Sequence, residues 1–226
     1  MGYAFSLGRR DNTLSREETL AYASVIVHTT NLPVSADLEN GFGDGPEIVA
    51  ETIRLAAAAG VVGGSIEDAS GRLERPIYEL EYAVERLRAA VDAARALPFP
   101  FTLTARAENY LLSRPDLTDT IKRLQAYQEA GADVLYAPGL ATKNDIAAVV
   151  SSVNCPVNVV VGLQGVKLTL GDLSAIGVRR ISVGSALCRA ALGTLLRAAR
   201  EMRDNGTFDF ADQAASPREI SDMFTP

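Results

Sequence analysis

Short apolar runs alternate with longer stretches whose apolar positions recur at helical spacing, and no linker-like break interrupts the alternation. The pattern predicts a first helix over residues 15–29, with Ser15 as N-cap and Glu18 completing a capping box. A strand over 33–38 and a helix over 46–59 follow; the helix is opened by Pro46 and closed by Gly60. The next strand, 61–66, ends in Glu67-Asp68, and a loop over 69–76 leads into a long helix over 77–97. Beyond it come a strand over 101–105 ending in Arg106-Ala107-Glu108, a helix over 117–130 stopped by Gly131, and a strand over 133–137. The remaining elements are a helix over 144–152, a strand over 157–161, a short helix over 170–176, a strand over 180–183 and a helix over 185–203. Residues 2–8 read as a loop, and a helical tail from about 206, with a short helix near 217–224, completes a single domain over 1–226.

Repeated strand–helix units whose strands are apolar on both faces call for a parallel sheet. Polar residues gather at the carboxyl ends of the strands, where a (β/α)8 barrel builds its active site. The fold class is therefore α/β, a TIM-type barrel. A doubly wound open sheet is the rival, but no G-x-G-x-x-G follows the first strand, which argues against a dinucleotide domain. About six strands are legible where a closed barrel has eight, so the barrel reads as incomplete.

The chemistry is densest in the run Asp37-Leu38-Glu39-Asn40-Gly41-Phe42-Gly43-Asp44. Strand side chains alternate faces, so Asp37 and Glu39 point the same way at the mouth of the unit, as a hard cation with oxygen ligands requires. A solvated acidic loop is the plain alternative for one such pair; the polar ends of further strands favour a site. Composition narrows the rest. The chain has 226 residues, 47% of them hydrophobic, enough for one large core. A net charge of -6 argues against nucleic acid and anionic membranes as partners. The aromatic residues form no stripe for base stacking. Cys155, Cys188 and the single histidine, His28, lack metal-type spacing, and the cysteines read as ordinary buried thiols, a disulfide between them being left open. No run reaches the roughly 18 apolar residues of a membrane helix, and no signal-peptide core precedes Arg9, so a cytoplasmic protein is expected.

Ser6-Leu7-Gly8-Arg9-Arg10-Asp11, the Asp37–Asp44 run, Ser65-Ile66-Glu67-Asp68, Thr104-Ala105-Arg106-Ala107-Glu108, Ala130-Gly131-Ala132-Asp133 and Ile181-Ser182-Val183-Gly184-Ser185 appear in this order. Together they resemble the isocitrate lyase/phosphoenolpyruvate mutase superfamily across nearly the whole chain. The resemblance implies a (β/α)8 barrel in which Mg2+, or Mn2+ in its place, holds an α-oxo or α-hydroxy carboxylate. A C–C or P–C bond is then broken or moved through an enolate-like intermediate. It also implies that Asp11, Asp37, Glu39 and Glu67 form the metal site, Asp37 touching the metal and the others acting mostly through water. Arg106 would grip the substrate carboxylate, with Glu108 orienting it, and Gly2 and Tyr3 would lie at the substrate-binding turn. Arg106, Glu67 and Asp11 are the implied catalytic set. For Arg106 the residue type agrees independently, since a guanidinium matches a carboxylate bidentately and stays charged when buried. A buried partner for Glu67 or Glu108 is the plainer role, and the two are compatible.

The departures shape the expected reaction. The superfamily's lyases carry a Cys-Gly-His segment on the loop after the Glu-Asp strand, and its phosphonomutases an asparagine. Here that loop is Ala69-Ser70-Gly71-Arg72-Leu73-Glu74-Arg75-Pro76, which argues against isocitrate and methylisocitrate lyase activity. Arg72 and Arg75 are open to an anionic substrate or simply solvated. The expectation is a Mg2+-dependent C–C lyase acting on a small carboxylate. Phosphonomutase or oxo-acid decarboxylase chemistry is the alternative, and a catalytically silent paralogue a third. Gly162, Gly165, Gly184 and Ser185 follow the last two strands and would suit a phosphate-binding barrel enzyme of another class. The family's tails bind a neighbouring subunit, so a homodimer or homotetramer through the C-terminal tail is expected. The resemblance begins inside the loop after the family's second strand, which leads to the expectation of a chain lacking about 45 family residues and leaving two apolar sheet edges open.

Overall fold

Val157–Val160 is buried at every position, as a strand covered on both faces must be, and β-branched residues suit that place. It is one of six strands in a parallel sheet, the others being less completely buried: β1 (Ser35–Asp37), β2 (Gly63–Glu67), β3 (Thr102–Arg106), β4 (Val134–Tyr136), β5 (Val157–Val160) and β6 (Arg180–Ser182). The computed structural model describes residues 2–162 and 167–224. It resolves into two compact units, one running from Tyr3 to Gly184 and the other from Ser185 onward together with Gly2.

In the first unit the strand order is β1-β2-β3-β4-β5-β6, all parallel, with no reversal. A doubly wound sheet has a point where the order reverses; a monotonic order with right-handed crossovers puts every helix on one face. The architecture is thus an incomplete TIM-type barrel, a curled half-barrel of six strands. Side chains on the helix-covered face, including Leu38, Ile66, Leu103, Leu135 and Val159, are buried in one continuous core. The opposite, concave face is polar: Ser65 bonds Asp37, Arg180 donates to Thr104 at 2.9 Å, and Asn158 donates to Ser182 at 3.0 Å.

The connecting helices are α1 (Gly2–Ser6), α2 (Arg16–His28), α3 (Pro46–Ala58), α4 (Leu80–Arg95), α5 (Leu117–Glu129), α6 (Lys143–Ser151) and α7 (Leu170–Ala175). The Ser15/Glu18 capping box is formed at α2, and Pro46 opens α3. Two expectations need correction. Residues 2–8 are not simply a loop: α1 forms there because Ala4 is fully buried and the ring of Tyr3 stacks on Tyr22, centroids 3.9 Å apart. The fourth helix begins at Leu80 rather than 77, because Ile77 bridges Ala69 and the Tyr78 N–H bonds the Asp68 carbonyl at 2.9 Å, holding this stretch extended.

In the second unit α8 (Ala186–Asn205) ends at Gly206 in the left-handed region, and Glu201 takes the Asp209 N–H and the Thr207 hydroxyl to start a 3-10 turn, Asp209–Gln213. A last helix, α9 (Pro217–Asp222), is capped by Ser216. Both cysteines are free thiols and only half-buried, not buried as expected; Cys155 sits in the loop before β5, its Sγ 3.4 Å from the Ala132 carbonyl. Gly162 and Gly184 have positive φ at the ends of β5 and β6, and Gly165 lies outside the described residues. Among the described residues no helix is long and apolar enough to cross a membrane.

Candidate active site

Register brings the predicted residues to one place. Glu67 lies beside Arg106 and Arg106 beside Tyr136, while Asp37 pairs with Ser65, two residues before Glu67 on the same face. The Arg106 guanidinium, only 11% exposed, is ringed by acids. Its Nη1 donates to both Asp37 oxygens at 2.8 Å, its Nη2 meets Glu67 at 3.0 Å, and its Nε donates to Glu108 at 2.8 Å. The Tyr136 ring lies 5.3 Å from the guanidinium carbon.

One cation among three carboxylates, with Glu39 close by, leaves a surplus of negative charge in a partly desolvated cleft. The titration behaviour follows from that. Burial pushes the Glu67 carboxyl up to about 8, with Glu108, Asp37 and Glu39 adding repulsion against the pull of Arg106. Glu39 is raised by burial and then by Asp37 and Asp11. Glu108 is likewise raised by burial, with Arg106 opposing. For Asp37 desolvation works upward, but Arg106, the Glu39 N–H and the Ser65 hydroxyl outweigh it and hold the carboxyl below its ordinary range. Asp37 is also the member most open to solvent, its side chain 63% exposed.

Asp11, in the turn before α2, is close enough for its charge to act on Glu39. Tyr3 and Gly2 open α1, where the Tyr3 ring is engaged by Tyr22. His28 closes α2 with its Nδ1 2.7 Å from the Ser24 carbonyl, and is exposed. Arg72, on the loop after β2, pairs with Asp44 at the end of the acidic run, and the Tyr78 hydroxyl donates to the same carboxylate at 2.5 Å.

Sequence reasoning gave no role to the residues that support this cluster. Asp68 follows Glu67 and points the opposite way into the core, where its Oδ1 accepts the Glu108 N–H at 2.8 Å. Its Oδ2 accepts from the Tyr127 hydroxyl at 2.6 Å and from Arg123 at 3.1 Å. The clue was present in α5, whose buried stripe Thr120, Arg123, Leu124 and Tyr127 is polar at three of its positions.

Among the described residues no group of three or more His, Cys, Asp and Glu side chains converges into a ready metal cage. Mg2+ needs no such cage, since it keeps several waters and is held through one or two carboxylates plus its substrate. The donors here are all oxygen and the surplus charge is negative. Asp37, Glu39, Glu67 and Asp11 therefore fit a hard divalent cation in donor type and charge.

A profile of the family described as phosphoenolpyruvate phosphomutase matches residues 1–203. An uncharacterised protein of Mycobacterium tuberculosis is 32% identical over 172 residues, which are 76% of this chain and 62% of that protein, so the chain spans less than two thirds of its length. The 2-methylisocitrate lyase of Escherichia coli K12 is 36% identical over 140 residues, 59% of this chain and 46% of the enzyme. Among solved structures, a Burkholderia cenocepacia J2315 protein provisionally described as a lyase/mutase is 62% identical with a TM-score of 0.97, covering 100% of this chain and 81% of its own. A phosphonopyruvate hydrolase in complex with oxalate and Mg2+ is 26% identical with a TM-score of 0.84, covering 98% of this chain and 79% of its own.

Proposed function

The chain belongs to the phosphoenolpyruvate phosphomutase family, whose relatives act on C–C or C–P bonds, and from that premise we propose that it is a Mg2+-dependent enzyme cleaving a C–C bond in a small α-hydroxy or α-oxo carboxylate through an enolate-like intermediate. The observation that carries this reading is the Arg106 cluster: one buried guanidinium in a ring of carboxylates whose charge it does not balance. Arg106 binds the substrate carboxylate through Nη1, the edge now turned to the exposed Asp37, while Glu108 fixes the guanidinium through Nε. Without the cation Glu67 retains a proton near neutral pH, and a bound cation would favour its carboxylate, which can then take up a proton at its oxygen. Asp37, Glu39, Glu67 and Asp11 hold the cation, and Mn2+ would serve in its place. When bound, the cation stabilises negative charge developing on the substrate's oxo oxygen. The enzyme acts in the cytoplasm as a homo-oligomer.

C–P bond chemistry is the second reading, favoured by the likeness to a phosphonopyruvate hydrolase that binds oxalate and Mg2+. Thermal unfolding with Mg2+, with oxalate and with both tests the site. Joint stabilisation exceeding either alone is expected, about 2.7 kcal/mol at a hundredfold excess over Kd. No response to any of the three would favour a silent chain. A screen of α-hydroxy acids, oxo acids and phosphonates for release of an oxo acid or of phosphate then separates the two reactions.

A further inference from the structure

Arg86 is among the largest fully buried side chains of the protein, 1% exposed, and takes no part in the cluster around Arg106. It lies on the inner face of α4 with Ala83, Leu87, Ala90 and Ala94. A charge in such a place is costly unless its hydrogen bonds are met, and among the described residues no carboxylate pairs with it. Its fork is directed at backbone instead: it donates to the carbonyls of Asn40, of Gly43 at 3.0 Å and of Asp44 at 2.6 Å. The guanidinium lies over Tyr78, its carbon 4.2 Å from the ring centroid. From α3 the fully buried Thr52 donates to the Gly41 carbonyl at 2.8 Å.

Two buried side chains thus hold four carbonyls of the turn between β1 and α3. That turn is strained at Glu39 and Phe42, whose φ are 50° and 61°, while Gly41 takes its φ of 82° freely. Its other side is pinned as well, since a Cβ at Gly41 would stand 3.0 Å from the Val49 side chain. An apolar residue would fill the α4 face with less desolvation, so the guanidinium is there for the turn.

We propose that Arg86, with Thr52, is a positioning residue for the cation site: by holding the carbonyls of residues 40–44 it fixes the turn that carries Glu39 and leads directly out of β1 from Asp37. The inference rests on the cation site proposed above. Arg86→Lys keeps the charge but cannot reach three carbonyls, and Thr52→Val removes the bond to Gly41, together with a long one of 3.5 Å from Arg16, at nearly constant volume. Calorimetric titration with MgCl2 and hydrogen exchange of the amides of residues 38–44 and 102–106 are the readouts. Arg86→Lys is expected to weaken Mg2+ binding on the order of tenfold, the scale seen when groups orienting metal ligands are removed. Exchange should accelerate in the turn while β3 keeps its protection. Thr52→Val should act in the same direction by a smaller factor, and it decides the matter if Arg86→Lys does not fold. Wild-type Mg2+ affinity in folded variants, or acceleration equal in turn and strand, would overturn the proposal. A wild-type protein that ignores Mg2+ would sink the cation reading instead, and the turn's exchange alone would then judge Arg86.

Discussion

At the mouth of the sheet a single guanidinium answers for Asp37, Glu67 and Glu108, and the consequences are carried by individual carboxyls. Glu67 has an ordinary value of 4.5 and is pushed to about 8 in the folded protein. Between those values the folded state keeps a proton that the unfolded state has lost, so stability falls as pH rises through this window. Glu39 and Glu108 are raised as well and act with the same sign. The unfolding midpoint of the metal-free protein is therefore expected to drop between pH 5 and pH 8.5, and Glu67→Gln, permanently neutral, to flatten that slope; an unchanged slope in the variant would contradict the assignment. Asp37 behaves differently because Arg106 keeps it ionised and solvent can reach it. Asp37→Ala should abolish Mg2+ binding in a calorimetric titration, whereas Glu39→Gln should only weaken it, since an amide oxygen still accepts from a bound water. Unchanged affinity in the Asp37 variant would remove it from the metal site. These acids were legible in the sequence because they gather at strand ends, although Glu39 lies beyond β1 with φ of 50° and not on an alternating strand face. Arg86 and Tyr127 were not, since a polar residue on a buried helix face acquires a role only when its partner, distant in the chain, is known.

Elements were legible where a local signal and burial agree. The capping box at Ser15 and Glu18, Pro46 at the start of α3, and the positive-φ glycines 60 and 131 placed helix ends within a few residues of where they lie. The stretch over 77–79 was misread because its apolar residues fit a helical period, while its backbone is recruited by Ala69 and Asp68. The same competition governs the loop after β2. Ser70 takes the Pro76 carbonyl through its N–H at 2.8 Å, which closes the loop on itself. Arg72 is drawn to Asp44 rather than left in water, yet both partners are about half exposed and such a pair contributes little to stability. What it contributes is a connection: Asp44 ends the acidic run, so the loop after β2 and the turn after β1 share one carboxylate. Composition alone could name Arg72 as a substrate contact or a solvated charge. It could not show a partner on the neighbouring strand's loop, because that pairing exists only once β1 and β2 lie side by side.

At the scale of the whole molecule the sheet was predictable and the assembly is where the sequence leaves most to measure. A parallel sheet followed from the repeated strand–helix units, although the strands are apolar only on the helix-covered face and polar on the concave one, and the monotonic strand order then excluded the doubly wound alternative. The second unit presents a different balance. Along α8 the side chains of Leu187, Leu195, Leu196 and Met202 are exposed, and Phe208, Met223 and Phe224 are exposed beyond it, Phe224 to 80%. Single exposed apolar residues are ordinary; this many within one short segment is the signature of a surface that associates. A second copy of the chain is the occupant we expect, in line with the tail-mediated association implied by the family resemblance. Light scattering at micromolar concentration should give a mass of at least twice the 24.0 kDa chain. Leu195→Glu combined with Phe208→Ser should shift that mass toward the monomer while leaving the Mg2+-dependent thermal shift in place, because neither residue belongs to the acidic cluster. A monomeric wild-type protein would end the assembly argument, and a variant that stays oligomeric would move the interface away from this segment.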